Sequence, residues 1–410
     1  MTSIEMTKRF LSSCLLLAPF LSALPAQGQT PALPTPDRSG IEHVVVVTME
    51  NRSFDHILGW LAGANGQQAG LTYNETSGTP HSTYHLTNYQ GCAFLDPGHT
   101  YSDGRVQFNG GAANGWLLNG SNSLSGTPNQ ANDIFAIGYY TQSDVPFLGG
   151  AAPAWTVCDN YFAAMMAETR PNRIYMHAGQ TDRLDNSSVL SGLPTIWDRL
   201  AEHGQTGRYY YSDVSFLDLW GTKYAGIVHP VARFLDDCSA GTLPNVAFVD
   251  PKFIGEASGT TNDDHPHADI RNGEVFLGQI YQAVTTSPNW KHTVLIITFD
   301  EWGGFFDHVA PPLAPIPAAT AAAGDTDGRL GFRVPCIVIS PMARRAFISH
   351  EQFDHTSILR MIEWRWGLPA LSSRDVGANN LADVLDFVTA PNLAAPPISV
   401  PAGPFGAACP

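Results

Sequence analysis

Oxygen-bearing side chains follow two apolar, β-branched segments of the sequence, His43–Thr48 and Thr293–Phe299. Continuous runs of this kind predict strands that are buried on both faces of a parallel sheet. In open α/β sheets, ligands bind beyond the carboxyl ends of such strands. Four side chains of the kind that a hard divalent cation prefers follow these runs: Glu50, Asn51, Asp300 and Glu301. The two strand ends together predict a cation site, whereas one Asp-Glu pair alone would indicate a solvated loop.

The hydroxyl group of Thr169 is a candidate nucleophile. It lies just before Pro171, which predicts the first turn of a helix, and the free backbone N–H groups of a helix start favour an anion. The alternative is a helix N-cap, which is the commoner use of such a hydroxyl. Arg170 and Arg173 flank the same turn, where a guanidinium fits a phosphate, although arginines are equally common on protein surfaces.

Three histidines lie in predicted turns: His99, His265 and His308. His308 follows a Gly-Gly pair that lets the backbone turn sharply, which would bring Asp307 and His308 back to the predicted site. A lone histidine in a turn is usually solvated. His265 lies in an acid-histidine cluster with Asp263, Asp264 and His267, and such a cluster indicates either a metal or phosphate neighbourhood or a solvated loop.

The remaining elements must hold these residues on one scaffold. Strand and helix patterns alternate along the chain, with helices predicted at Leu193–His203, Ile270–Thr285 and Ile358–Trp366, and this alternation indicates an α/β sandwich. Gly331–Pro341 predicts another buried strand, and the Pro/Ala-rich residues 310–324 predict a loop over the strand ends. Ser53 and Asp55 are predicted caps of the helix after the first strand.

The length of 410 residues suits one large α/β domain, since no linker or repeat divides the middle of the chain. We predict a catalytic domain over residues 41–389, a Pro-rich entry segment over 29–40 and a Pro/Ala-rich tail over 390–410. The formal net charge is −15, from 22 basic and 37 acidic residues, which disfavours nucleic acid and anionic membranes as partners. We expect at most transient contact with a membrane surface and no obligate protein partner.

The first residues predict export from the cytoplasm. Lys8 and Arg9 precede an apolar run from Phe10 to about Leu24, and small residues then offer cleavage near Ala26 or Gly28. The run is too short to span a bilayer, so residues 1–28 are predicted to be a signal peptide of a periplasmic or secreted protein.

Removal of this segment would leave five cysteines, an odd number in an oxidising compartment. We therefore expect one or two disulfides and a buried thiol, and Cys336, which lies within a strand pattern, is the predicted thiol. No pair has C-x-x-C spacing, which argues against a zinc-thiolate site.

Four blocks of sequence together carry a resemblance to a known family: ENRSFDHILG from Glu50, TRPNR from Thr169, DEWGGFFDHV from Asp300 and GFRVPCIVISP from Gly331. The chain resembles the phosphoesterase family of non-specific phospholipases C and related bacterial acid phosphatases. The resemblance implies an alkaline-phosphatase-like fold, a three-layer α/β sandwich with a central, mostly parallel β-sheet. It also implies that Glu50, Asn51, Asp300 and Glu301 are metal ligands, that Thr169 is the nucleophile, and that His99, His265 and His308 surround the phosphate.

Two residue choices look like the phospholipase C branch of this family. The acid phosphatase branch uses a serine and a second aspartate where this chain has Thr169 and Glu301. The chain also departs from many phospholipases C because it ends soon after the core, and it lacks a basic or amphipathic docking stretch. Those departures favour a soluble substrate.

The expected chemistry is metal-dependent phosphate ester hydrolysis. One divalent ion would bind Glu50, Asn51, Asp300, Glu301 and Thr169; this oxygen-rich set favours calcium, magnesium or manganese, with zinc as an alternative. Thr169 would attack phosphorus and form a phosphothreonine intermediate, while Asn51 and Arg173 contact the phosphate. A histidine would protonate the leaving alcohol. His308 and His99 are the leading candidates, and the resemblance places His265 near the phosphate as well.

Three functions are compatible with these residues. The first is a secreted phospholipase C that acts on glycerophospholipids, and the second is an acid phosphatase of broad specificity on soluble phosphomonoesters. The third is an inactive binding module on the same fold, served by loop aromatics such as Trp116, Tyr139 and Tyr140.

Overall fold

The two β-branched runs that precede the predicted ligands form adjacent strands at the centre of one sheet. The computed structural model describes residues 32–118 and 131–410, so the predicted signal peptide lies outside the described residues. Leu33–Pro410 form one compact unit. The strands in the described residues are β1 His43–Met49, β2 Thr72–Asn74, β3 Pro80–Ser82, β4 Tyr84–His85, β5 Gly138–Tyr139, β6 Thr156–Cys158, β7 Tyr161–Phe162, β8 Gly207–Tyr211, β9 Val228–Pro230, β10 Val246–Val249, β11 Thr293–Phe299, β12 Cys336–Ile339, β13 Phe347–Ser349 and β14 Phe353–Asp354.

The central sheet contains eight strands in the order β13-β6-β12-β11-β1-β10-β8-β9. Strand β12 runs antiparallel to both of its neighbours, and the other paired strands are parallel. Every residue of β1 and β11 is buried, as their unbroken apolar sequences require. The predicted α/β architecture with a central, mostly parallel sheet is therefore confirmed.

Helices pack around this sheet in two groups. In one, α7 (Ile270–Thr286) contacts α3 (Pro146–Ala154) and α6 (Val231–Ala240); in the other, α9 (His355–Trp366) contacts α4 (Thr169–Ala178) and α10 (Ser373–Gly377). The predicted helices near residues 196, 270 and 358 are present, and the capping box of Asp354 begins α9. The α-helices in the described residues are α1 Phe54–Leu58, α2 Tyr101–Phe108, α3 Pro146–Ala154, α4 Thr169–Ala178, α5 Ile196–Glu202, α6 Val231–Ala240, α7 Ile270–Thr286, α8 Ala318–Ala322, α9 His355–Trp366 and α10 Ser373–Gly377.

Two local predictions need correction. The strand predicted over Gly331–Pro341 is confined to β12, because Pro335 and Pro341 cannot donate backbone hydrogen bonds to a sheet. The predicted loop over residues 310–324 contains the short helix α8, since alanine is the best helix former.

The tail over residues 390–410 packs against α7, where Val400 lies beside Gly278, and a disulfide joins Cys409 of the tail to Cys92. The hydroxyl of Tyr281 donates to the carbonyl of Pro396, which fixes the tail on this helix. Cys336 is a buried thiol, as predicted, and Cys158 and Cys238 are buried thiols as well. Within residues 32–118 and 131–410, no helix has the length and apolar character needed to cross a bilayer.

Candidate active site

The ends of three neighbouring parallel strands carry the site. β1 pairs with β11 on one side and with β10 on the other, and Met49 lies directly beside Phe299 in the ladder. The residues that follow these strands therefore meet at one edge of the sheet: Glu50 and Asn51 after β1, Asp300 and Glu301 after β11, and Asp250 after β10. Sequence reasoning missed Asp250, although the same signal, an apolar strand followed by a carboxylate, was present there.

The backbone is tightly folded where these strands end. Asn51 has a φ of 58°, a left-handed conformation that asparagine tolerates better than most residues. Gly303 has a φ of 62° and lies so close to Asn51 that a Cβ added to it would be 2.2 Å from the Asn51 carbonyl oxygen. The glycine predicted to make the turn thus also permits the close approach of the two strand ends.

Asp300 is held firmly in place. Its Oδ1 accepts hydrogen bonds from the backbone N–H groups of Glu301, at 2.7 Å, and Asn51, at 3.2 Å. Its Oδ2 accepts from Arg173 Nε at 3.3 Å, and its backbone carbonyl accepts from His355 Nε2 at 2.6 Å. Asp300 therefore connects β1, β11 and α4.

Arg173 is buried among three carboxylates instead of facing a substrate. Its guanidinium bonds to Glu50 at 2.6 Å, to Asp250 at 3.0 Å and to Asp300 at 3.3 Å, and it also donates to the carbonyls of Thr48 and Met49. Burial alone would lower the pKa of Arg173, but these three carboxylates raise it above its ordinary value. The contact with phosphate predicted for Arg173 is replaced by a structural role, because its fork of donors is already used within the protein.

Thr169 is brought to the Glu50 carboxylate, since its Oγ1 lies 3.4 Å from Glu50 Oε2. Thr169 is the first residue of α4, and the N-cap position belongs to Glu168, so the alternative use of Thr169 as an N-cap does not occur. The predicted proline-initiated turn is present as the first turn of α4, which contains both Thr169 and Arg173. Asn172 fixes this helix start by donating to the carbonyls of Ala167 and Glu168.

His99 lies between Asn51 and Glu301. Its Nδ1 bonds to the Pro97 carbonyl at 2.7 Å, so Nε2 is the acceptor for the Asn51 amide at 3.2 Å, and Glu301 Oε1 is 3.6 Å from the same nitrogen. Burial lowers the pKa of His99. With Nδ1 bonded to a carbonyl, His99 presents Nε2 as an acceptor to Asn51, and this arrangement does not favour its predicted use as an acid.

Unpaired oxygens and excess negative charge make this site suitable for a cation. Asn51 Oδ1 and Glu301 Oε1 are buried without a hydrogen-bond donor. Burial and the neighbouring Asp300 carboxylate raise the pKa of Glu50 and of Glu301 well above the ordinary value for glutamic acid. A hard divalent ion would relieve both features, so Glu50, Asn51, Glu301 and Thr169 fit such an ion by their chemistry and their position.

A second group, Asp55, Asp307 and His308, could also hold a metal ion, since its possible ligand atoms all lie within 4.8 Å of one another. Its oxygens already accept other hydrogen bonds, however. Arg333 bonds to Asp307 at 2.9 Å and to Asp55 at 3.2 Å, and Asp55 Oδ2 accepts from the His308 backbone N–H at 2.8 Å. The buried guanidinium supplies the positive charge that an ion would otherwise provide, which favours a structural role.

His308 is therefore not brought to the predicted site. It bonds to Asp55 at 2.5 Å and to Asn65 at 3.2 Å, and in the described residues none of its hydrogen bonds or ion pairs reaches Thr169 or the four predicted ligands. Burial alone would lower the pKa of His308, but the hydrogen bond to Asp55 and that residue's charge raise it. Ser53 caps α1 as predicted, whereas Asp55 is no cap but forms these ion pairs.

His265 is closer to the site, with its ring centre 6.4 Å from that of His99. Its Nδ1 lies 3.0 Å from the Pro266 carbonyl and 3.3 Å from Glu256, and its side chain is 17% exposed. Asp263 and Asp264 of the same cluster are buried, and burial raises the pKa of both carboxyls, that of Asp264 to about 7. His267 bonds to the Phe94 carbonyl at 3.0 Å.

The aromatics considered for a binding module do not form a binding surface. Trp116 and Tyr140 are fully buried in the core, and Tyr139 is half-buried. Their burial weakens the main argument for that alternative.

Comparison with known proteins identifies the chain as a hydrolase of phosphate esters. The chain belongs to the phosphoesterase family, whose sequence model matches residues 41–369. Its relatives are phospholipases C, which are phosphoric ester hydrolases.

Non-specific phospholipase C1 of Arabidopsis thaliana is 32% identical over 380 residues, covering 82% of this chain and 69% of the relative. Phospholipase C B of Mycobacterium tuberculosis (strain ATCC 25618 / H37Rv) is 30% identical over 430 residues, covering 88% of this chain and 80% of the relative. Among solved structures, the phosphonate monoester hydrolase of Agrobacterium radiobacter matches with a TM-score of 0.40 at 11% identity, covering 84% of this chain and 77% of the other.

Proposed function

We propose that this protein is an exported, metal-dependent phospholipase C that hydrolyses glycerophospholipids through a phosphothreonine intermediate. The observation that carries the proposal is the position of Thr169 Oγ1 at the start of α4, 3.4 Å from Glu50 Oε2, where two parallel strands end. The phospholipase C relatives support the substrate class, and Thr169 with Glu301 matches the pattern expected of that branch.

The ion would be held by Glu50, Asn51, Glu301 and Thr169. Asp300, whose oxygens accept from backbone N–H groups and from Arg173, would keep these ligands in position. When bound, a divalent ion lowers the pKa of a coordinated hydroxyl and stabilises negative charge on phosphate oxygens. Calcium, magnesium and manganese suit this oxygen-rich set better than zinc does.

The protein's own residues supply the rest of the mechanism. Thr169 Oγ1 passes its proton to Glu50 Oε2, to which it already donates, and attacks phosphorus. The bond to the diacylglycerol oxygen breaks, and the phosphorylated headgroup stays on the threonine. The backbone N–H groups at the start of α4 favour the negative charge of the phosphate. Water then cleaves the phosphothreonine and releases the phosphorylated headgroup.

His265 is our candidate for the proton donor to the leaving alcohol. His99 is held as an acceptor and His308 is held by Asp55, whereas the two contacts of His265 involve only Nδ1. Its Nε2 is therefore the ring nitrogen that could donate to the leaving group.

The disulfide between Cys92 and Cys409 supports export, because disulfides persist in oxidising compartments. The formal charge of −15 supports a zwitterionic lipid in preference to an anionic one.

The test compares purified protein on phosphatidylcholine and on a soluble phosphomonoester, each with and without a chelator. We expect phosphocholine release that is lost with chelator and restored by a divalent ion. Thr169→Ala should reduce turnover by at least about a thousandfold, while Thr169→Ser, which keeps a hydroxyl, should retain more.

Mass spectrometry of enzyme acid-quenched during turnover of phosphatidylcholine should find phosphocholine on the peptide that contains Thr169. If Thr169→Ala were nearly as active as the wild type, Thr169 would not be the nucleophile. A preference for the monoester would make the protein an acid phosphatase.

A further inference from the structure

Three exposed apolar side chains lie on two loops beside the candidate active site. Val189 is 69% exposed, Leu190 63% and Ile254 62%. Large apolar side chains with this exposure are costly in water, and a group of them beside a site indicates a surface that contacts another apolar phase.

The first loop is attached directly to the residues around Thr169. The backbone N–H of Asn186 donates to the Glu168 carboxylate at 2.7 Å, and the Asn186 side chain accepts from the Arg170 N–H at 2.8 Å. Val189 follows Asn186 by three residues, so the exposed side chains are tied to the start of the helix that carries the nucleophile.

The second loop is attached to the buried arginine of the site. The rings of Phe216 and Phe253 lie 4.6 Å and 5.4 Å from the Arg173 guanidinium. Ile254 follows Phe253, and Asp213 fixes the turn by accepting from the Ile254 N–H at 2.7 Å. Ile254 is thus exposed immediately next to a residue that packs on the site.

A short 3₁₀-helix, Phe216–Trp220, joins the two loops. Phe216 packs against Phe253 at a ring distance of 5.2 Å, and the Leu219 carbonyl accepts from the Ser191 N–H at 2.7 Å. Five residues of 3₁₀-helix span about 10 Å, so this helix connects the loop of Val189 and Leu190 to the loop of Ile254 over a short distance. We call the three exposed side chains on these loops the apolar rim (Val189, Leu190 and Ile254).

We infer that the apolar rim is a membrane-contact surface that inserts into a bilayer of zwitterionic phospholipid and holds the active site at the lipid headgroups. The inference rests on the proposed function, because a phospholipase C must reach a substrate that is packed in a bilayer. The partner is a zwitterionic lipid surface, since the net charge of −15 would oppose approach to an anionic one. Insertion of apolar side chains supplies attraction that does not depend on basic residues.

The test uses the double variant Val189→Ser/Ile254→Ser, which leaves Leu190 in its place near Gly221. Both changed residues are exposed, so the fold should be retained. The matched control is Val388→Ser, because Val388 is 78% exposed and lies far from the candidate active site. Two residues before it, the N–H of Asp386 donates to the Met342 carbonyl. Met342 follows β12, which is antiparallel to β11, so this region lies at the opposite edge of the sheet.

Two measurements are made, sedimentation with phosphatidylcholine vesicles and hydrolysis of phosphatidylcholine in vesicles or as a short-chain monomer below its micelle concentration. We expect the double variant to lose at least about tenfold in vesicle partitioning and a similar factor in vesicle hydrolysis. Hydrolysis of the monomer should be unchanged, and Val388→Ser should behave as the wild type.

Three results would overturn the inference. The double variant could bind and hydrolyse vesicles as the wild type does, or lose activity equally on vesicles and monomer, which would assign the loops to site geometry. A change of oligomeric state in gel filtration without loss of vesicle binding would make the rim an interface between copies of the chain. If the wild type hydrolyses neither substrate, the proposed function fails, and sedimentation still decides whether the rim binds lipid.

Discussion

Replacement of Arg173 by methionine is the sharpest test of how the protein keeps so many acids buried at one sheet edge. Arg173 is 2% exposed and is bonded to Glu50, Asp250 and Asp300. Methionine fills a similar length without charge, so the change leaves three buried carboxylates without their shared cation.

The expected cost follows from this geometry. Removal of one partner from a buried ion pair typically costs about 3–5 kcal/mol, because the remaining charge is left uncompensated. Here three acids lose their partner at once, and burial already raises the pKa of Glu50 and of Asp250. We therefore expect Arg173→Met to lower the free energy of unfolding by at least about 3 kcal/mol, a large part of the about 5–15 kcal/mol that is typical of a domain.

Urea unfolding in chelator measures this cost. Arg233→Met is the matched control, because Arg233 also bonds to a carboxylate, that of Asp237 at 3.0 Å, but its side chain is 51% exposed and such pairs contribute about 0–1 kcal/mol. Arg173→Lys keeps the charge but not the fork of donors, and should fall between wild type and methionine. Equal, small losses for Arg173→Met and Arg233→Met would refute the view that the guanidinium neutralises this site.

Two further predictions follow from single positions. Gly303→Ala should lower activity by about a hundredfold, because the added Cβ would lie 2.2 Å from the Asn51 carbonyl oxygen. Gly110 has a similar φ of 65° but open space around it, so Gly110→Ala should keep wild-type activity. Equal kinetics of the two variants would contradict this steric reasoning. Burial and the neighbouring Asp375 raise the pKa of Glu363 to about 9. As pH rises, the folded protein therefore holds this proton after the unfolded chain has lost it. The free energy of unfolding of the wild type should thus fall as pH rises from about 5 to about 9. Glu363→Gln should lessen that fall by as much as about 1.4 kcal/mol per pH unit, and parallel unfolding curves for the two proteins across this range would show that Glu363 does not carry it.

The centre of the site was predictable because it depends on local patterns. An unbroken apolar strand must lie inside a sheet, and the charged residue that follows it must lie at the edge, so β1 and β11 with Glu50 and Asp300 could be placed from sequence. The same pattern marks Asp250 after β10, and its importance became clear only through Arg173.

Contacts between distant segments were not predictable in the same way. Asp55 was expected to cap a helix, but it pairs with His308 and Arg333, which lie far along the chain. A cap is visible in the adjacent sequence, whereas an ion pair between distant segments depends on which loops the fold brings together. The same reason applies to Arg173, which was predicted to contact phosphate but bonds to three carboxylates. It also applies to His308, which was predicted to transfer a proton but bonds to Asp55.

The arrangement of charges explains why the site can be both rigid and reactive. Asp300, with one oxygen bonded to backbone N–H groups and the other to Arg173, serves as an anchor that fixes α4 against β11. Glu301 is different, because its Oε2 accepts from the Gly303 N–H at 2.7 Å while its Oε1 has no donor. The hydrogen bonds of Asp300 are made within the protein, whereas neighbouring oxygens have no donor, so a cation would bind most favourably at those oxygens. Thr169 lies beside them at the start of α4, which Asp300 holds in place through Arg173.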